Sequence, residues 1–339
     1  MRTTFLRRAQ ALLNSEQTQV FRVGIIGLGS IGLRMSEAFS KHARFDIVSA
    51  FDPSEEACAR AKASYPDLNF VADASVVHRD PNIDLVYLAS PPLTHKEHAT
   101  QAISNAKAVF CEKPLGVDLT SSEALVALVS SEGAKAAINL LHAAASNVIA
   151  LERALATEEL GDIQWVELRL QLPQWAVRRY AEAPWLARRA QGGFVREVAT
   201  HYLFLCQRIM GALELVNSCV GYPHDDDEAA PTFAAAQMRA ASVPVSLVGT
   251  TSGAGPDLST MTLWGSNGAL RVRDLYFLDV LQEDEWQSIV HHEMRPELDT
   301  YMCQLDELAA MLDGAQHRLP CFAEAYQAQR LIEAIVRGA

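Results

Sequence analysis

Three groups of residues in this chain have types and spacings that can do chemistry. Gly27, Gly29 and Gly32 form a G-x-G-x-x-G pattern within RVGIIGLGSIG. Such a turn bends tightly at its first glycine, admits a diphosphate to the backbone at its second, and lets the next helix pack closely at its third. Ser30 and Ile31 lie at the start of that helix, whose unpaired N–H groups and positive dipole end favour phosphate. The second group is Glu112-Lys113-Pro114. An ammonium placed directly after a buried strand, beside a proline, can donate a hydrogen bond to a substrate oxygen as hydride moves; an exposed loop lysine is the plainer account. The third is Glu197 and His201, four residues apart after Gly192-Gly193. On a helix that spacing puts both on one face, where a carboxylate can fix the tautomer of an imidazole and raise its basicity. The pair could serve as a general acid/base unit, and it also has the spacing of an ordinary surface contact. The rest of the predicted helix is mostly apolar (Val198, Tyr202, Leu203, Phe204, Leu205, Ile209), so Glu197 and His201 would need partners or a wet cleft.

These groups require elements that bring them together. The run from Arg22 to Ile26 reads as a strand buried on both faces, and Phe45 to Phe51 as a second strand ending at Asp52. Asp52 follows the glycine turn by about 20 residues, where a carboxylate can hold the adenosine ribose hydroxyls. Asp84 to Ala89 predicts a further strand that Ser90-Pro91-Pro92 must end. A loop at a strand's carboxyl end faces the ligand crevice of an open α/β sheet, so Ser90, Pro91 and His95 are expected to border the cofactor. Helices over Ser54 to Ser64 and Lys96 to Asn105, strands over Ala108 to Cys111 and Ala136 to Leu140, and a capping box at Thr120 and Glu123 complete the alternation. That pattern predicts a mostly parallel sheet covered on both faces.

The pattern changes after about Leu141. A helix over Ala144 to Leu155 and a strand over Ile163 to Leu172 lead into a succession of strands from Leu215 to Ile289, with a hairpin turn at Gly265 to Gly268. Strands without intervening helices predict an antiparallel sheet. Helices over Glu297 to Leu312 and Phe322 to Val336 follow. Residues before about Gln19 could form a short helix, since Phe5, Ala9, Leu12 and Leu13 have roughly helical spacing, and they give no functional clue.

A length of 339 residues predicts two domains, and 49% hydrophobic residues suit a globular protein with a large core. A formal net charge of -12 argues against a nucleic-acid or anionic-membrane surface and for a small-molecule ligand. The leader lacks a continuous apolar region and no run is long enough to span a bilayer, so a cytoplasmic protein is expected. Cys58, Cys111, Cys206, Cys219, Cys303 and Cys321 lack C-x-x-C spacing and read as reduced core residues. His291-His292 lacks a third ligand at recognisable spacing, so no metal site is expected. Arg178-Arg179 and Arg188-Arg189, flanked by Trp175, Tyr180 and Trp185, could stack on a sugar or bind an anion; an interface loop is the simpler account. Asp225 to Glu228 reads as a solvated loop.

Together, the glycine fingerprint, the proline-ended strand with His95 behind it, Glu112-Lys113-Pro114, and Gly-Gly followed by an acid and His201 resemble the Gfo/Idh/MocA oxidoreductases. The resemblance runs from about Arg22 to the C-terminus. It implies an α/β chain: an N-terminal Rossmann doubly wound parallel sheet (residues 21–141, after a leader 1–20), then an α/β domain (142–339) with a large, mostly antiparallel open sheet. The C-terminal helices could pack back on the first domain. It also implies Lys113 as catalytic lysine, His201 as acid/base, Glu197 where the family usually has aspartate, and a homodimer or homotetramer assembled through the second sheet. Phe204 stands where a second aspartate is common, and Leu140-Leu141-His142 where an arginine is common. The implied activity is hydride transfer between NAD and a sugar, polyol or related hydroxy or keto compound. Asp52 favours NAD because a carboxylate repels a 2′-phosphate, while Ser54 and Arg60 keep NADP open. An NAD-dependent glycosidase-type hydrolase and a non-catalytic dinucleotide sensor are the competing readings.

Overall fold

The structure is a computed structural model that describes residues 19–157, 160–173, 175 and 183–338. The helical spacing expected before Gln19 and the residues Arg178, Arg179 and Tyr180 lie outside the described residues.

Two sheets organise the chain. The first has the order β3-β2-β1-β4-β5-β6, from Phe21–Ile26 (β1), Phe45–Phe51 (β2), Asn69–Phe70 (β3), Leu85–Leu88 (β4), Ala108–Glu112 (β5) and Ala136–Asn139 (β6). Every pairing in it is parallel. Because side chains alternate across a strand, Ile25, Tyr87 and Phe110 enter one apolar layer while Ile26, Leu88 and Cys111 enter the opposite one. Helices α1 (Ser30–Lys41), α2 (Glu55–Ser64), α3 (Ala74–Arg79), α4 (His95–Ser104) and α5 (Leu119–Glu132) connect these strands. The two-residue β3 and the short α3 were not anticipated in the sequence. Nor is α5 capped by the expected box: Asp118 is its N-cap and accepts from the Ser121 N–H at 2.7 Å, leaving Thr120 inside the first turn.

The second sheet has the order β14-β13-β12-β11-β7-β10-β9-β8. Its strands are Ile163–Gln171 (β7), Leu213–Gly221 (β8), Phe233–Ala240 (β9), Val243–Thr250 (β10), Leu258–Gly265 (β11), Ala269–Arg273 (β12), Phe277–Gln282 (β13) and Glu285–Ser288 (β14). Only β7 and β10 pair in parallel. One face buries Val166, Leu168, Ala236, Leu247 and Met261 beneath α6 (Ser146–Ala156), α7 (Thr200–Met210) and α9 (Phe322–Arg337). On the other face Trp165, Phe233 and Val248 are exposed, and Trp165 stacks on Trp264 at 6.2 Å.

The last two helices return to the first sheet. Leu298, Leu305 and Leu308 of α8 (Pro296–Asp313) join one of its apolar layers, and Phe322, Ala325 and Ala328 of α9 join the other. Farther along α9, Leu331, Ile332 and Ile335 enter the core of the second sheet. One helix thus packs into both regions. The six cysteines are free, but only Cys111 and Cys206 are buried; Cys219 and Cys321 are exposed, contrary to the core placement expected of them. No described helix is long and apolar enough to cross a membrane.

Candidate active site

The glycine turn lies where the strand order of the first sheet reverses, between β1 and β4. Gly27 has φ +101°, and a Cβ there would lie 2.5 Å from the Ala89 carbonyl carbon, so the turn and the loop after β4 are in close contact. On Gly32 a Cβ would overlap the Gly27 carbonyl oxygen. Gly29 differs from both. Nothing lies within 4 Å of where its Cβ would stand, which leaves the backbone there open to a diphosphate. As N-cap of α1, Gly29 offers no side-chain bond to the first helical N–H groups, and no acid occupies the first turn, where Ser30 and Ile31 are partly buried. Asp52 supports the turn directly: its carboxylate accepts from Leu28 N at 2.7 Å and Ser54 N at 2.8 Å. These features fit a dinucleotide.

Ser90 and Pro91 follow β4 as expected, and the Ser90 hydroxyl accepts from Thr94 Oγ1 at 2.7 Å. His95 has a different role from the one expected. It is completely buried, with Nε2 2.8 Å from the Ser90 carbonyl oxygen and Nδ1 2.9 Å from that of Pro114. It therefore ties the loop after β4 to the loop after β5 instead of facing a ligand. Burial pushes its pKa down to about 4, against the two carbonyls that favour the charged ring. Glu112 likewise turns into the protein. Its Oε1 accepts from Tyr87 Oη and from Asn139 Nδ2, each at 2.6 Å, and burial raises its pKa.

Lys113 begins the loop after β5, and the Lys113–Pro114 peptide is cis. Its ammonium bonds to the Glu197 carboxylate and, at 3.2 Å, to the Glu197 carbonyl oxygen. This corrects the expectation that Glu197 would pair with His201. The cause is local: Val195–Ala199 is a π-helical turn in which the Thr200 N–H reaches back to the Val195 carbonyl, so an α-helical i,i+4 count does not apply across it. Glu197 Oε1 and His201 Nδ1 are both buried without a hydrogen-bond partner. Polar atoms in that position are costly unless something else satisfies them, and they are available to a ligand's hydroxyl. The charge of Lys113 is felt at His201, whose pKa lies well below its ordinary value, mainly through burial and then through Lys113 and His142. The imidazole is neutral at neutral pH.

Several residues behind the site gave no signal of a role. His142 stands where the resemblance implied an arginine. It lies between carbonyls, Nδ1 at 3.0 Å from His201 O and Nε2 at 2.9 Å from Leu275 O, and burial lowers its pKa. Tyr202 accepts from Leu275 N at 3.0 Å and lies 2.9 Å from the Ser259 carbonyl oxygen. Phe204, in place of an aspartate, packs with Phe322 and Ala325 of α9. Arg196 and Glu333 form a buried bidentate pair at 2.6 and 2.9 Å. Removing one partner from a pair of this kind costs about 3–5 kcal/mol, because it strands a buried charge. An arginine inside an apolar helix was the one clue available to it. The remaining candidates are occupied elsewhere: His292 bonds to Asp299 at 2.8 Å, Arg188 to Asp226 at 3.1 Å, and Arg189 lies over Tyr222.

Comparison with known proteins agrees with this architecture. Residues 21–140 match the family described as an oxidoreductase family with an NAD-binding Rossmann fold. The chain is 32% identical over 114 residues to inositol 2-dehydrogenase of Acidothermus cellulolyticus, covering 33% of each chain. It is 24% identical over 215 residues to the inositol 2-dehydrogenase of Rhizobium meliloti, covering 61% of this chain and 62% of that one. These alignments span less than two thirds of the curated relatives' length. The fold match is more extensive: levoglucosan dehydrogenase, solved with NADH and levoglucosan, superposes with a TM-score of 0.81 at 20% identity, over 94% of this chain and 97% of that one. The matched region, residues 21–140, is thus similar to the NAD-binding Rossmann unit of the Gfo/Idh/MocA oxidoreductase family, and the whole chain shares the two-sheet fold of that solved structure.

Proposed function

We propose that the chain is an NAD-dependent dehydrogenase or reductase acting on a CH–OH group of a sugar, polyol or related hydroxy or keto compound. One observation carries this reading. Lys113, at the carboxyl end of β5, meets Glu197 beside a buried neutral His201, and the open glycine turn of the same sheet fits a dinucleotide. Gly27, Gly29, Ser30, Ile31, Gly32 and Asp52 would hold that dinucleotide, with Ser90 and Pro91 on the opposite wall. When bound, it supplies hydride acceptance in oxidation and hydride donation in reduction. In oxidation, His201 takes the hydroxyl proton and the Lys113 ammonium stabilises the oxygen as charge develops on it. In reduction His201 returns the proton. Glu197 holds Lys113 in place, and its free Oε1 is left for a second ligand hydroxyl. Relatives named for inositol and levoglucosan support a carbohydrate-like substrate.

The dinucleotide-binding unit spans residues 21–141 and the substrate and assembly unit 142–339. Exposed Trp165, Phe233 and Val248 on the open face of the second sheet support assembly of a homodimer or homotetramer there. A panel of sugars, polyols and their oxidised forms, followed by absorbance of reduced cofactor with NAD and NADP in parallel, tests the reaction. Turnover of one member with NAD preferred is the expected result. Release of free sugar without net change in absorbance would favour a hydrolase, and binding of dinucleotide without turnover of any member would favour a sensor.

A further inference from the structure

We propose that Arg196 and Glu333 are positioning residues for Lys113, acting through the π-helical turn that carries Glu197. The inference rests on the reading of Lys113 as the group that meets the substrate oxygen. Arg196 is 6% exposed, and its guanidinium forks onto the Glu333 carboxylate of α9 at 2.6 and 2.9 Å. The same guanidinium donates from Nη1 to the Arg189 carbonyl at 2.8 Å and the Gly192 carbonyl at 3.0 Å. It therefore joins the C-terminal helix to the backbone that leads into Val195–Ala199. That backbone has no slack. A Cβ on Gly192 would overlap the carbonyl oxygens of Trp185 and Leu186, and Gly193 holds φ +104°.

The residue after Arg196 holds the ammonium with both its carboxylate and its carbonyl oxygen. A π-helical turn is rare on its own and needs tertiary contacts to persist. Relaxing it to α-helix would turn Glu197 relative to His201 by about 100°, one residue of a helix with 3.6 per turn. Lys113 would then lose both acceptors. Stability alone does not call for such a pair at this place, since apolar side chains of similar volume often serve a buried site as well or better. What a guanidinium adds is direction: a planar fork for the carboxylate and further donors for two carbonyls.

The full chain carrying Glu333→Gln, and separately Arg196→Lys, tests the proposal. The first readout is the rate at which acetic anhydride acylates Lys113, followed by peptide mass spectrometry. An ammonium held by a carboxylate stays protonated and reacts slowly, so acylation should rise about tenfold in both variants. On a substrate found in the panel, kcat should fall by about tenfold to a hundredfold while the Kd for NADH stays within about twofold. Glu333→Asp, which keeps the charge, should recover part of the loss. Acylation and kcat both unchanged while only the melting temperature drops would show a merely structural pair and overturn the proposal. Should Glu333→Gln fail to fold, Arg196→Lys decides by the same two readouts. If no panel member turns over, the acylation rates still decide the positioning claim, and the oxidoreductase reading alone falls.

Discussion

The two sheets meet different demands. In the first, all strands pair in parallel, β4, β5 and β6 are buried on both faces, and the proposed dinucleotide crevice is made almost entirely from backbone, glycine and one carboxylate. In the second, one face is open, and a helix beside the sheet, held by side chains distant in sequence, brings Glu197 and His201 to Lys113, the one reactive group that the first sheet supplies. The contrast separates a binding task, met by main-chain shape, from a reactive task, met by individual side chains. Binding and turnover should therefore be separable by mutation.

The largest effects should come from the reactive side. Lys113→Ala and His201→Ala should each lower kcat by about 10²- to 10⁴-fold, with the Kd for NADH unchanged by fluorescence titration. Loss of NADH binding in either would erase the proposed division. The reciprocal change is Gly29→Asp, which places a carboxylate in the open space of the turn. It should weaken NADH binding by at least about tenfold, through like-charge repulsion and lost approach, while the melting temperature of the free protein hardly moves. Glu197→Asp sharpens the comparison within the reactive side. One methylene shorter, it should draw the carboxylate off Lys113 and cost about tenfold in kcat by misplacement. Activity equal to the parent's would mean that the carbonyl contact alone is enough.

A smaller effect concerns pH and belongs to the first region. His78 and His95 both have pKa values pushed down to about 4, chiefly by burial. The unfolded chain binds protons at each of these positions at higher pH than the folded one. Their contribution to stability is therefore complete above about pH 6.5 and is lost as pH falls toward 4. Thermal melts across that window should show the decline, about 2–4 °C for each kcal/mol lost in a domain of this size. His95→Gln should flatten it; an unchanged slope would remove His95 from the account.

The sequence was most legible where causes are local. The glycine turn, the acid ending β2 and the alternation of strands with helices follow from short-range patterns, and the second sheet followed from strands that succeed one another without helices. It misled where a choice depended on distant atoms. Thr120 was expected to cap α5, but Asp118, a residue of equally suitable type two positions earlier, occupies the N-cap. His95 had the type and place of a ligand-facing residue, yet two carbonyl oxygens enclose it. Glu197 was assigned to the wrong partner because its helical turn is π and not α, and the nearby buried pair from Arg196 spans 137 residues. No window along the chain contains that information.

Helices α8 and α9 help cover the first sheet from opposite faces, although they follow the second sheet in sequence. On the ribosome, the six strands of the first sheet leave part of each apolar layer uncovered until these two helices, made after the second sheet, have emerged. A nascent chain stopped after the second sheet would present those parts of both layers to whatever holds unfinished proteins in the cell.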